Sequence, residues 1–166
     1  MSNSSPIVEL PAGASSRLAA AVQALTPTDD SARLQAVLEL GYLAASADGL
    51  DASERDTLAS LLEAATGEFY DHHAFELHFA DLDQAVEIFG RRERLARTTA
   101  DLEDDAARAD AIRFAALVAM ADGRLHAPEL AVLVEAGAYF AWDAARVREL
   151  VDDAAARVTA AGGGAR

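Results

Sequence analysis

Forty-one of the 166 residues are alanine, against ten glycines and four prolines. Alanine loses no side-chain entropy on entering a helix, while glycine and proline are the two residues helices tolerate least. A chain biased in this way is driven towards packed helices. No stretch shows the sustained apolar–polar alternation of a half-buried strand. The expected fold class is all-α, a bundle of about seven to eight helices. With 52% apolar residues the chain can bury a core, and its length suits one domain or two very small ones. The absence of cysteine excludes disulfides, zinc–thiolate sites, iron–sulfur clusters and cysteine nucleophiles.

Charge is lopsided: 28 acidic residues stand against 14 basic ones, all arginine, for a net charge of −14. Such a surface repels phosphate and argues against nucleic-acid binding. It keeps an alanine-rich protein in solution and attracts cations or a basic partner. Residues 1–16 lack the basic-then-apolar order of a signal peptide. The longest apolar run, near Phe114–Ala121, is far shorter than the roughly 18–20 residues that cross a bilayer. A cytoplasmic protein without membrane insertion is expected.

Residues 1–13 read as a flexible leader, 14–160 as the helical domain and 161–166, with three consecutive glycines, as a flexible tail. A first helix should run from Ser15 to Leu25. Pro27 to Asp30 opens a second, reaching about Ala47. Asp51 with Glu54 three residues later marks a capping box for a third, ended by Gly67. Two shorter helices, Glu68–Phe79 and Leu82–Arg97, are expected to break near Asp81, with a bend at Gly90. A long helix covers about Leu102–Ala121. His126 and Pro128 open the next. Asp143 caps the last, with Trp142 placed to staple onto Val147.

The chain also repeats itself. Leu43–Glu54 and Leu117–Glu129 each read as a helix ending in Ala-Asp-Gly, a short loop, and a second helix with Glu in its first turn. The offset is 74 residues at Asp48/Asp122 and 75 at Glu54/Glu129, so the first loop is one residue shorter. Two copies at this period suggest a duplicated helical hairpin and not a solenoid.

In these residues the chain resembles the TerB-like family, the tellurite-resistance proteins and their relatives, including the N-terminal domain of membrane-bound DjlA co-chaperones. The resemblance spans roughly Leu34 to Val158 and is best over Arg108–Glu129 and Tyr139–Asp143. It implies a helical bundle with an internal two-fold repeat, acting in tellurite resistance or stress response. It also implies an acidic surface associated with metal binding, or a protein partner that is membrane-associated in DjlA-type relatives.

Asp48 and Asp122 follow helix C-termini, where a negative charge meets the negative end of the macrodipole at a cost of about 0.3–1 kcal/mol. Something must compensate. One reading is a divalent cation, Ca²⁺ or Mg²⁺, held by Asp48, Asp51 and Glu54 from one loop and Asp122 and Glu129 from the other, since hard cations take oxygen ligands. The other is purely local: Asp-Gly is a turn dipeptide, and Glu54 and Glu129 suit helix first turns. Neither loop has EF-hand spacing.

Other features read as structural. Glu68, His72 and Glu76 share a helix face beside Asp71, His73 and His78, but without the Glu-x-x-His or His-Glu-x-x-His spacing of metal helices. The acids Asp101 to Asp105 suit a helix start. The small residues Gly41, Ala44, Ala45, Ala115, Ala116 and Ala119 suit close helix packing. No nucleophile elbow or phosphate-cradling loop is present, and a non-enzymatic role is expected.

Overall fold

The computed structural model describes residues 5–27, 30–66 and 72–161. Among them are eight helices and one two-stranded ladder: β1 (Val8–Glu9), α1 (Ser15–Leu25), α2 (Ser31–Ala45), α3 (Ala52–Thr66), α4 (His72–Phe89), α5 (Arg91–Ala100), α6 (Asp105–Ala119), β2 (Arg124–Leu125), α7 (Ala127–Tyr139) and α8 (Ala144–Ala160). The molecule is a helical bundle. None of the described helices is long and apolar enough to cross a membrane.

Helix starts follow local chemistry. Asp30 Oδ1 accepts from the backbone N–H groups of Ala32 and Arg33, Asp104 Oδ1 from Ala107 and Asp143 Oδ1 from Arg146. Asp30 thus occupies two, and Asp104 and Asp143 one each, of the donors that a helix N-terminus leaves unpaired. Gly67, Glu68 and Asp71 lie outside the described residues, as do residues 162–166 of the expected tail.

Helices α2 and α6 form the centre and make the most extensive contact in the molecule. Every residue of α2 from Ala36 to Ala45 is buried, and so are nine of α6's small and apolar side chains after Ala107. Gly41 lets the pair approach: a Cβ there would lie 3.2 Å from Val118 Cγ1 and 3.3 Å from Phe114 Cε1. The remaining helices pack around this pair, with α8 against α6 and α1 against α3, α6 and α8.

Two expectations are corrected. The chain does not break near Asp81; α4 runs through it to Phe89. Asp81 faces water, while Phe75, Phe79 and Leu82 carry one buried stripe across it at helical spacing. The break falls at Gly90, whose φ of 87° is a left-handed conformation that glycine adopts without strain. Nor is all of the leader loose. Ile7 N–H donates to Leu125 O at 2.7 Å and Leu10 N–H to Gly123 O at 2.8 Å, bracketing an antiparallel register of Val8 with Leu125 and Glu9 with Arg124. Leu10 is buried in the core. A ladder of two residues is too short to leave an alternating pattern in sequence.

Candidate functional site

The two repeated loops have the same backbone course at their first turn. Ser46 N–H donates to Tyr42 O, Ala47 to Ala44 O and Gly49 to Ser46 O, at 2.9, 3.1 and 3.0 Å. At the 74-residue offset, Met120 donates to Ala116 O, Ala121 to Val118 O and Gly123 to Met120 O, at 3.0, 3.1 and 2.8 Å. Gly49 and Gly123 both have φ of 91°, so each loop reverses on a glycine where a side chain would be strained.

Beyond the glycines the loops diverge. The first goes directly into α3 through a reciprocal capping box. Asp51 Oδ1 accepts from Glu54 N–H and Glu54 Oε2 from Asp51 N–H, both at 2.8 Å. The second spends its extra residue on β2, held by β1. Asp122 Oδ1 there accepts from Arg124 N–H at 2.9 Å, and Glu129 Oε2 accepts from His126 N–H at 2.7 Å.

Because α2 and α6 lie against each other, their loops meet in a cleft of about 300 Å³. Asp48, Glu54, Asp122 and Glu129 line it, with Ser53, Thr57 and His126, over apolar surface from Ala45, Leu50 and Ala119. Four of the five acids singled out by the repeat thus come together. The fifth, Asp51, does not line the cleft and caps α3.

The four differ in environment. Asp48, Glu54 and Asp122 are exposed, whereas Glu129 is only 7% exposed. Burial, and then the charges of Asp48, Asp122 and Glu54, push the Glu129 carboxyl up to about 8 against the one opposing influence, the His126 N–H. Among the described residues, the Asp48 carboxylate has no hydrogen-bond or ion-pair partner. Nor are three or more acidic or imidazole groups among the described residues gathered closely enough to hold a metal ion as they stand.

Part of the compensation demanded by Asp48 comes from the protein itself. Arg91, the first residue of α5, donates from Nη1 to Ala47 O at 3.3 Å and from Nη2 to Ser46 O at 3.4 Å. A guanidinium therefore stands at the negative end of α2. No corresponding guanidinium bond forms at Met120 or Ala121 among the described residues.

Known protein families, curated proteins and solved structures gave no match to this chain.

Away from the cleft, the sequence did not reveal the role of Glu39. It is 3% exposed, in the middle of α2. Arg94 Nη2 donates to it at 2.6 Å, Thr98 Oγ1 at 2.9 Å and Gln35 Nε2 at 3.2 Å, and His78 Nε2 lies 3.7 Å away. A charged residue inside the apolar run Val37–Leu43 is a legible signal of something paired, but apart from Gln35 one turn before it the partners arrive from α4 and α5. His73 and Glu76 of the histidine-rich segment are exposed, as expected of a solvated helix face.

Proposed function

We propose that this chain is a non-enzymatic TerB-like module of a tellurite-resistance or stress-response system. Its two Ala-Asp-Gly loops, related by an approximate two-fold repeat, form a receptor for positive charge. The observation that carries this reading is the convergence of Asp48, Glu54, Asp122 and Glu129 on one cleft. Turn and capping chemistry accounts for Asp51, Glu54, Asp122 and Glu129, each of which holds a backbone N–H. It gives Asp48 nothing to do. It also leaves the buried Glu129 facing three other acids, an arrangement that costs stability unless a positive group relieves it.

The proposed ligand is a divalent cation, Ca²⁺ or Mg²⁺, drawing the carboxylates inward. Glu129 would release its proton on binding, so affinity should rise with pH up to about 8. A second reading, a basic side chain of a protein partner, is favoured by the cleft's volume and by its apolar floor of Ala45, Leu50 and Ala119, which suits an alkyl stem better than a bare ion.

Asp48→Asn and Asp122→Asn decide between function and turn chemistry. Asn keeps the turn geometry and the acceptor for Arg124 N–H but not the charge. Without ligand both variants should be as stable as wild type or slightly more so. At cation concentrations of 100 times Kd, wild type should gain about 2.7 kcal/mol by mass action, and the variants much less. If millimolar Ca²⁺, Mg²⁺ and Mn²⁺ leave the wild-type melting temperature unchanged while an arginine-bearing peptide raises it, the partner reading replaces the metal one.

A further inference from the structure

The two acidic loops share a backbone course but are held from outside by different elements. The second is tied down by β1, through Leu10 N–H on Gly123 O and Ile7 N–H on Leu125 O. The first has no strand beside it among the described residues. Among the described residues, its bonds to another element in the Ser46–Ala47 stretch are the two of the Arg91 fork, to the Ser46 and Ala47 carbonyls. Arg91 is set for this by Gly90, whose left-handed turn ends α4 and starts α5. The side chain is half-buried, and its Nε is closed off from solvent without a hydrogen-bond partner.

We infer that Arg91 is a positioning residue for the cleft, fixing the turn that carries Asp48 towards Glu54, Asp122 and Glu129. It lies on the far side of the loop from the cleft. There it lines a separate pocket with Tyr42, Ser46, Arg55 and Asp83, and Gly49 and Leu50 form the wall common to both. It therefore acts through the backbone and does not touch the cleft's contents. The guanidinium fork matches two adjacent carbonyls, a match that a lysine's single ammonium cannot reproduce.

This inference rests on the reading of the cleft as a receptor for positive charge, so the experiment has one arm that does not. In the full chain, Arg91→Ala, Arg91→Lys and the exposed neighbour Arg92→Ala are compared by amide hydrogen exchange and by Ca²⁺ titration. Arg91→Ala should speed exchange of the Ala47 and Gly49 amides about tenfold while leaving Gly123 unchanged, because opening of the loop is local. Arg91→Lys should fall between it and wild type, and Arg92→Ala should match wild type. Ca²⁺ affinity should fall about tenfold in Arg91→Ala, the lower end of what an outer-shell residue contributes. Unchanged exchange at Gly49, or an equal rise at Gly123, overturns the inference. So does loosened exchange with undiminished Ca²⁺ affinity. A wild-type chain that ignores Ca²⁺ refutes the cation reading instead, and the exchange arm alone then decides whether Arg91 fixes the loop.

Discussion

Replacing Glu129 by glutamine isolates the electrostatics of the cleft. In the folded protein the carboxyl titrates at about 8, against an ordinary value of 4.5. Between these two pH values the native state holds a proton that the unfolded chain has lost. The linkage sign is then fixed: stability is fully present below about pH 4.5 and declines as pH rises through about 8. At about 1.4 kcal/mol for each pH unit between the two titrations, the loss approaches roughly 5 kcal/mol at its limit. Glu129 lines a cleft that water enters, which reduces this to roughly 2–4 kcal/mol. That remains a large share of the 5–15 kcal/mol typical of a domain. Glutamine keeps the shape and an acceptor for His126 N–H but cannot ionise. Urea unfolding at half-unit steps from about pH 5 to 9, without divalent cations, should show the variant drawing ahead of wild type as pH rises. Subtracting the two curves removes the four histidines, which titrate in both proteins. A difference that stays constant across the range would refute the reasoning, because it would mean that Glu129 is charged or neutral alike in both states.

Asp51→Ala removes the N-cap of α3 and should cost about 0.5–2 kcal/mol in denaturant unfolding. His126→Ala, at the matching position, should cost distinctly less, because the principal bond there is made by Glu129 to the backbone, which any residue supplies. Ala141 has φ of 60° at the end of α7, where Trp142 N–H reaches back to Gly137 O and Ala141 N–H to Ala138 O. This is a Schellman closure with alanine in the seat that glycine prefers, so Ala141→Gly should raise stability by about 1 kcal/mol, read as a higher melting temperature.

What could be read in the sequence was the part written in neighbouring residues. Asp30, Asp51 and Asp143 signal helix starts because a cap and its donors lie within three residues of each other. The paired loops were legible because Ala-Asp-Gly fixes a turn locally, and the repeat pointed to four acids that share a cleft. Asp51 was grouped with them because a capping carboxylate and a ligand look the same in sequence. The continuity of α4 past Asp81 rests on the apolar stripe Phe75, Phe79 and Leu82, which outweighs a single solvent-facing carboxylate. β1 was invisible because its hydrogen-bond partners lie more than a hundred residues away. Arg91 and Glu39 were missed for the same reason: their roles are defined only once α5 has docked.

Glu39 also bears on how the chain reaches its native state. Two residues from Gly41, which packs on α6, Glu39 falls about 200° around α2 on its other side, where Arg94 and Thr98, 55 and 59 residues further along, dock from α5. A buried charge deprived of its partner costs about 3–5 kcal/mol. Docking of α5 against this side of α2 is therefore tied to Arg94, which pairs the carboxylate that the docking covers. The same seating brings Arg91 under the first acidic loop. One face of α5 thus serves both the buried carboxylate of the core and the carbonyls of the first acidic loop.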